Sequence, residues 1–325
     1  MHSLIKMDYF MSLSSIILKH TLIDKAVHFI GFILAFFIFL TLAALIIVLI
    51  QGSSLSIQQF GLMFVFSSEW NPVTQIFGGL IPLVGTLITS VIALTIALPI
   101  SFGVSFFITQ LNAQWLKLSL TILIELLAVI PSIIYGLWGL FIFAPSIGLN
   151  IATWLHAHFG DQIIIGKFFT ESSGGINILT ASIILGIMII PFITSSMKNA
   201  FDLVPKLLKE SAYGIGATTW EVVWHIVLPY TRIQVLAGVM LGLGRAIGET
   251  MAVTFVIGNA YNLSISLLSP GTTISSALAN EFTEASSDLY TSALVNLGLI
   301  VFVITFFVLI TSQFYLKRSK NGANK

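Results

Sequence analysis

Six long stretches with little or no charge constrain the fold of this chain more than any other feature. They are approximately Ala26–Ile50, Phe77–Thr109, Leu118–Phe143, Ile176–Met197, Ile233–Ile257 and Thr291–Tyr315. Each is long enough for an α-helix to cross the hydrocarbon core of a bilayer, which takes about 20 residues. The sequence therefore predicts an all-α integral membrane protein with six transmembrane helices.

The composition supports this class and excludes several kinds of chemistry. Only 8% of the residues are charged, whereas a soluble domain carries about 25%. There is no cysteine, which excludes disulfides, thiolate metal sites and cysteine nucleophiles. The phosphate-binding pattern GxxxxGK[ST] is absent, so ATP hydrolysis by that route would need a separate subunit. We expect no catalytic residue, no cofactor and no metal site in this chain.

The distribution of basic residues predicts the orientation of the six helices. An even number of spans places both termini on one side. Of the fourteen Lys and Arg residues, all but Lys167 and Arg245 then fall on that side, which makes twelve. By the positive-inside rule this side is the cytoplasm. The expected organisation is a cytoplasmic N-terminal segment 1–25, a six-helix domain 26–316 and a cytoplasmic tail 317–325.

The segments between the helices carry further expectations. Loops 51–76, 144–175 and 258–290 would face outward. The N-terminal segment is compatible with a short interfacial helix. Five aromatic residues lie near predicted helix ends, where interfacial anchors are typical: Trp70, Trp115, Trp154, Tyr261 and Tyr290.

The longest cytoplasmic segment, residues 198–232, is expected to fold rather than simply turn. A helical stripe over 204–212 is followed by Gly214 and Gly216, and a second stripe runs from Trp220 to Val227, where Leu228-Pro229 would end it. Two short helices joined at a glycine turn would make a compact knob, called here the coupling segment (residues 198–232). An amphipathic helix at a membrane surface can dock into a groove on a partner. An ordinary interfacial hairpin is the alternative.

The motif in this segment resembles the EAA loop of ABC-importer permeases. The matching residues are Glu210, Ser211, Ala212, Gly216, Leu228 and Pro229, with Ser211 in place of the usual alanine. The resemblance implies a type I ABC importer permease. It also implies that these residues couple the chain to the cleft of a separate ATPase subunit.

Two opposite charges, Arg245 and Glu249, interrupt the fifth apolar stretch in the sequence GRAIGETMAV. A charge at mid-bilayer costs roughly 2.5–3.5 kcal/mol on insertion scales. Four residues apart, the two side chains would share a helix face and could pair, and Gly238 and Gly242 on that face would let another helix approach. Three interpretations stay open: a structural ion pair, a proton or ion relay, and an anion pathway in which the guanidinium meets an oxyanion.

A third charge, Glu125, lies in the third apolar stretch ahead of Pro131. Pro131 removes a helix hydrogen bond, and Ser132 is a candidate to satisfy the freed carbonyl group. Glu125 could pair with Arg245, contact a backbone group, or lie near the cytoplasmic interface, in a structural or a pathway role. Gly136 and Gly139 would allow close helix packing.

Further motifs narrow the resemblance. The stretches ELLAVIPSIIYGLWGLFIFAP, RAIGETMAVTFVIGNA and SSEWNP resemble phosphate-specific transport permeases of the PstC type, from about residue 60 to the last span. The resemblance implies an ATP-driven importer of inorganic phosphate that works by alternating access. Arg245 and Glu249 match the family motif implicated in phosphate passage, and Glu125 is a further candidate for the translocation pathway.

The resemblance also implies the partners and the location. They are a PstA-type permease, an ATPase subunit dimer, an extracytoplasmic phosphate-binding protein that meets the outer loops, phosphate and membrane lipid, without nucleic acid. The expected location is the bacterial cytoplasmic (inner) membrane. Two alternatives stay open: a permease for another oxyanion such as sulfate or molybdate, and a secondary transporter or channel, which the EAA spacing disfavours.

Overall fold

The computed structural model describes residues 2–110, 114–170 and 174–323. Within these residues, six helices are long and apolar enough to cross a membrane, which confirms the predicted number. They are Val27–Gly52, Leu80–Gln110, Ser132–Phe159, Ile178–Asp202, Thr219–Ile247 and Asp288–Phe314. Four agree with the predicted stretches to within a few residues, and the third and fifth differ.

Residues 2–51 form a unit of their own. The helix α1 runs from His2 to Gly52 without a break, so the N-terminal segment is not a separate short helix as the sequence suggested. The apolar side chains of its membrane-length part are exposed, including Phe29, Phe32 and Phe37. An exposed apolar surface of this extent requires lipid or another protein around it.

The second unit, residues 52–323 of the described chain, begins with a small folded loop. It contains the helices α2 (Ser54–Phe60) and α3 (Met63–Phe66) and the antiparallel strands β1 (Trp70–Asn71) and β2 (Ile76–Phe77). The long helix α4 (Leu80–Gln110) follows.

The predicted third span, Leu118–Phe143, is wrong in its bounds because the chain breaks at Pro131. Helix α5 (Gln114–Val129) ends before the break, and α6 (Ser132–Trp138), a π-helical segment Gly139–Gly148 and α7 (Leu149–Phe159) follow it. Pro131 has φ −58° and ψ 138° and starts α6 instead of continuing α5. Proline lacks the N–H group that would bond the carbonyl of Leu127, four residues earlier. The hydroxyl of Tyr135, not that of Ser132, donates to this carbonyl at 2.9 Å.

The core of the second unit lies where α4 packs along α8 (Ile178–Asp202), which follows a short 3₁₀ turn at Ile165–Phe168. Small residues of α4, Ala93 and Ala97, meet the buried side chains of Leu185 and Ile189. Two hydroxyl groups one turn apart extend the contact: Ser101 donates to Ile190 O at 3.2 Å and Ser105 to Thr194 O at 3.0 Å. Close backbone approach and hydroxyl bonds of this kind are typical of helices packed in membranes.

The fifth span begins earlier and ends earlier than predicted. After α9 (Lys206–Gly214), the helix α10 (Thr219–Val222), a π-helical segment Val223–Val227 and α11 (Leu228–Ile247) form one continuous rod. Leu228-Pro229 therefore does not end the second helix of the coupling segment. Pro229 lies in the first turn after the π-helical segment, where its missing N–H group costs little. The rod ends at Gly248, and only the short helix α12 (Met251–Thr254) follows.

The loop after α12, which the sequence predicts to face outward, returns along the N-terminal end of α4. The backbone N–H of Ile274, the first residue of α13 (Ile274–Glu281), donates to the Thr86 hydroxyl at 2.9 Å. Gly85 is required there, because an added Cβ would collide with the carbonyl oxygen of Thr272. The last helix, α14 (Asp288–Ala323), runs without a break through the predicted domain boundary at 316.

Candidate translocation and coupling sites

The coupling segment folds into the predicted compact knob. Its two helices, α9 and α10, enclose a small core of Phe201, Val204, Ala212, Val222, Val223 and Val227. The turn between the helices uses Gly216, whose φ of 91° is costly for residues with a side chain. Thr218 and Glu221 form a capping box that starts α10. The glycine turn and both helix positions are therefore confirmed, apart from the predicted end at Leu228-Pro229.

The motif residues divide between the inside and the surface of this knob. Ala212 is buried, whereas Glu210 and Ser211 are exposed, and the Ser211 hydroxyl donates to the carbonyl of Leu207 in its own helix at 2.7 Å. Leu228 is half-buried and Pro229 is exposed on the continuous rod. The exposed apolar residues Leu207 (73%) and Ile215 (88%) lie on the same knob as Glu210. An acidic group beside exposed apolar side chains has the composition of a protein-docking surface.

Lys209 attaches the base of α9 to the end of α8. Its ammonium group donates to the carbonyl of Phe201 at 3.3 Å. Burial lowers the pKa of Lys209, the charge of Asp202 opposes this effect, and the nearby charge of Lys117 adds to it. Cationic side chains from α5 and α9 therefore lie close to one another at this end of the bundle.

Arg245 is exposed on the side of α11, near the end of the fifth span. Its guanidinium carbon lies 3.9 Å from the centre of the Phe192 ring of α8, a cation–π contact that leaves the N–H groups at the edge of the guanidinium free to donate. Within the described part of the chain, no ion pair joins Arg245 to Glu249. Nothing lies within 4 Å of a Cβ placed on the preceding Gly244, so α11 has open space on the face next to that of Arg245.

Glu249 does not share a helix face with Arg245, and this expectation of the sequence was wrong. The helix ends at Ile247, with Gly248 at its C-cap, so Glu249 lies beyond the last turn. Only 8% of Glu249 is exposed, and its Oε1 atom accepts the backbone N–H of Ala252 at 3.2 Å, at the start of α12. A carboxylate at a helix N-terminus is favourably placed with respect to the helix dipole.

The two glycines of α11 do allow close packing, as predicted, and they face α8, the same helix whose Phe192 ring Arg245 contacts. An added Cβ on Gly242 would lie 2.6 Å from Cγ1 of Ile193, and one on Gly238 would collide with Ser196. Gly136 of α6 and Gly139, the first residue of the π-helical segment, play the same role: an added Cβ would lie 3.0 Å from the Met251 carbonyl oxygen and 2.9 Å from Val256, respectively. These contacts hold α12, and with it Glu249, against α6 and α8.

Glu125 lies apart from Arg245. It is exposed on α5 and lines a narrow cavity with Thr194, Ser195 and Lys198 of α8. No ion pair joins it to Arg245 in the described ranges, so the pairing that the sequence left open as one alternative is not formed. Glu125 lies instead toward the end of α8 that carries Lys198 and Asp202.

The structure also brings together a cluster that the sequence did not predict, consisting of Trp70, Tyr261, Glu281 and Tyr290. We call it the outer cluster because these residues lie in segments that the sequence predicts to face outward. One carboxylate oxygen of Glu281 accepts both the indole N–H of Trp70 at 2.6 Å and the Tyr290 hydroxyl at 2.7 Å. The ring of Tyr261 stacks on that of Trp70, with centroids 5.3 Å apart. Burial raises the pKa of Tyr261, and the adjacent Glu281 raises it further. These three aromatic residues are therefore parts of a packed cluster, an arrangement that the sequence did not predict.

Comparison with known proteins places these features in a family. Residues 101–320 match the model of the binding-protein-dependent transport system inner membrane component. The phosphate transport system permease protein PstC of Pasteurella multocida is 52% identical over 284 residues, covering 87% of this chain and 88% of the relative. Its namesake in Mesorhizobium japonicum is 49% identical over 94% of both chains. A probable PstC of Methanocaldococcus jannaschii is 36% identical over 81% of this chain and 84% of the relative.

Solved structures share the fold at low sequence identity. A bacterial alginate ABC transporter in complex with an alginate pentasaccharide-bound periplasmic protein matches with a TM-score of 0.55 and 16% identity, over 83% of this chain and 87% of that one. The inward-facing MetNI methionine ABC transporter matches with a TM-score of 0.50 and 16% identity, over 73% of this chain and 91% of that one. These matches confirm the fold of a type I ABC importer permease.

Proposed function

Because this chain belongs to the family of binding-protein-dependent transport system inner membrane components, we propose that it is the permease subunit of an ATP-driven importer of inorganic phosphate. Relatives about 50% identical over most of their length are named as phosphate transport permeases, which supports phosphate over sulfate or molybdate. The proposed location is the bacterial inner membrane, with both termini in the cytoplasm, as the distribution of basic residues predicts.

The exposed guanidinium of Arg245 is the observation that carries this proposal. A cation that faced lipid hydrocarbon would be costly, so the side of α11 that carries Arg245 would meet protein or water in the assembled transporter. A PstA-type permease facing this side would enclose a pathway between the two subunits. Because Arg245 contacts a ring face and no carboxylate of the described chain, its planar fork of donors remains available to an oxyanion.

Glu249 and Glu125 would have different roles along this pathway. Glu249 lies just beyond the end of the Arg245 helix, where its negative charge would limit how tightly an anion is held. Glu125 lies toward the cytoplasmic end, beside Lys198. An anion leaving Arg245 would therefore pass a region of alternating charge and would not stay at a single tight site.

The continuous rod from Thr219 to Ile247 offers a mechanism for alternating access. It joins the coupling segment directly to Arg245 over about 40 Å of helix. Closure of the proposed ATPase dimer on Glu210 and its apolar neighbours would move the knob, and a helix without a break would transmit that movement to the pathway. The extracytoplasmic phosphate-binding protein would dock on the outer loops, including the exposed residues Glu284 and Asp288.

Uptake of labelled phosphate into vesicles that contain the complete transporter tests the pathway assignment. Arg245→Gln should assemble normally but lower the transport rate by roughly 10²-fold, the scale expected when a charged hydrogen-bond partner of the transported anion is lost. Arg232→Gln is a matched control, because Arg232 is exposed on the same helix outside the apolar stretch. Normal uptake by Arg245→Gln would reject the pathway role, and inhibition by sulfate but not by unlabelled phosphate would reject phosphate as the substrate.

The docking role of the coupling segment needs its own experiment. Glu210→Lys reverses an exposed charge without disturbing the core of the knob, so the variant should fold normally. It should retain less ATPase subunit on purification, or hydrolyse ATP without transport, and Glu210→Gln should show a smaller effect. Wild-type binding of the ATPase and wild-type coupling in Glu210→Lys would contradict the assignment.

A further inference from the structure

A groove between the ends of α4, α5 and α8 collects positive charge. It has a volume of about 510 Å³, and its polar lining consists of Thr109, Lys117, Thr121, Lys198 and Asp202. A narrower cavity, which shares Thr121 and Lys198, continues from it toward Glu125 and Thr194. We call the wider space the lysine groove.

The charges around the lysine groove are unbalanced. Lys117 and Lys198 are half-buried, and neither forms an ion pair within the described ranges. Lys209 is close enough for its charge to interact with those of Lys117 and Asp202, while its ammonium group is held by the Phe201 carbonyl. The groove lining carries two lysines and one aspartate, a net charge of +1, while Lys209 adds a nearby positive charge and Glu125, in the narrower cavity, a nearby negative one.

We propose that the lysine groove binds a phosphate group, carried either by free inorganic phosphate or by the headgroup of an anionic lipid. A lysine ammonium group is a compact charge that is well suited to phosphate oxygens. Lys117 and Lys198 approach the groove from two different helices, and the Thr121 hydroxyl supplies a further donor. Basic pockets between transmembrane helices on the cytoplasmic side are known binding places for anionic headgroups.

The location of the groove indicates what its occupant would do. Lys209 belongs to α9, so the charge cluster joins the ends of α5 and α8 to the first helix of the coupling segment. A bound phosphate group would favour the present arrangement of this segment, because it would neutralise repulsion among the three lysines. The inference rests on the cytoplasmic orientation proposed above but not on phosphate being the transported anion.

Binding to the purified full-length chain in neutral detergent tests the proposal with two probes. Inorganic phosphate is measured by equilibrium dialysis. Phosphatidylglycerol is measured by native mass spectrometry, with zwitterionic phosphatidylcholine for comparison. Each of Lys117→Gln and Lys198→Gln should weaken binding about fivefold and the double variant about thirtyfold, from the contribution expected of one lysine near a membrane surface. Asp202→Asn should tighten binding because it removes the acidic group.

Lys206→Gln is the matched control, since Lys206 is exposed on α9 and does not line the groove. If the Lys117 and Lys198 variants lose binding of phosphatidylglycerol only, the proposal is supported and the occupant is a lipid headgroup. If they lose binding of inorganic phosphate, the occupant is the free anion. Failure of the wild-type chain to bind either probe overturns the proposal. It is also overturned by unchanged binding in the double variant, by an equal loss in Lys206→Gln, or by weaker binding in Asp202→Asn. Binding to the groove is read from the difference between wild type and the Lys117 and Lys198 variants, whereas the transport proposal is tested by phosphate uptake in Arg245→Gln, so failure of one is distinguished from failure of the other.

Discussion

Removal of the Glu281 carboxylate should destabilise the outer part of the protein by a predictable amount. Glu281 accepts hydrogen bonds of 2.6 Å from Trp70 and 2.7 Å from Tyr290, which link the first outer loop, α13 and α14. Glu281→Ala would leave both donors without their acceptor in a packed aromatic cluster. Each stranded donor costs about 1–3 kcal/mol, and partial access of water to this cluster favours the lower half of the range. We therefore expect a loss of about 2–4 kcal/mol in the free energy of unfolding.

Glu284 provides a matched control for this substitution. It lies one turn further along the chain and is exposed, so Glu284→Ala should change stability by less than about 0.5 kcal/mol. Denaturant unfolding of the purified protein in detergent, followed by tryptophan fluorescence, measures both variants. Glu281→Gln retains one acceptor oxygen but loses the charge and should fall between wild type and Glu281→Ala. Equal stability of Glu281→Ala and Glu284→Ala would refute the idea that this carboxylate holds the outer cluster together.

Two further expectations concern the same fold. Gly242→Ala should lower the free energy of unfolding by about 1–3 kcal/mol, because its Cβ would lie 2.6 Å from Ile193. Gly244→Ala on the same helix meets open space and should be neutral or stabilising in the same unfolding assay. Similar losses in both variants would contradict the proposed packing. The pKa of Tyr261 is raised above its ordinary value of 10.0, so the folded state keeps this proton while the unfolded state loses it. Stability should therefore fall as pH rises above about 10 and fall less in Tyr261→Phe, as measured by unfolding at pH 8 and pH 11; equal losses in both proteins would count against burial of this hydroxyl.

The sequence predicted the class of fold and much of the coupling segment because these depend on local patterns. Long apolar stretches have few alternatives to spanning a membrane, since every backbone polar group must be satisfied within a helix there. The glycine turn at Gly216 and the close approach at Gly242 follow from the absence of a Cβ atom, which is visible in the sequence. The number of spans and the knob were accordingly predicted correctly.

The sequence predicted the helix boundaries wrongly at two prolines: it missed a break at Pro131 and expected one at Pro229 that is absent. Pro131 divides a stretch that the sequence predicts to be one span, whereas Pro229 lies within a continuous rod that the sequence predicts to end there. The difference lies in the surroundings of each ring. A π-helical segment precedes Pro229, so the missing N–H group falls in a first turn. At Pro131 the freed carbonyl of Leu127 is satisfied by the hydroxyl of Tyr135. Spacing along the chain does not reveal which of these solutions a helix will adopt.

The charged residues of the apolar segments show what the sequence determines and what only the tertiary structure decides. By itself the sequence determined that Arg245, Glu249 and Glu125 lie in or beside apolar helices, because their neighbours in the chain are apolar. It also indicated a specific role for them, because a charged group in a membrane-spanning helix costs free energy. Only the tertiary structure decided their partners: a Phe192 ring for Arg245, the N-terminus of α12 for Glu249 and the α8 end that carries Lys198 for Glu125. The spacing of four between Arg245 and Glu249 implied a pair only if the helix continued. Gly248 ends that helix because packing of α12 against α6 and α8 competes successfully with one more turn. Residues far apart in the chain make those packing contacts, so no pattern within the motif contains them.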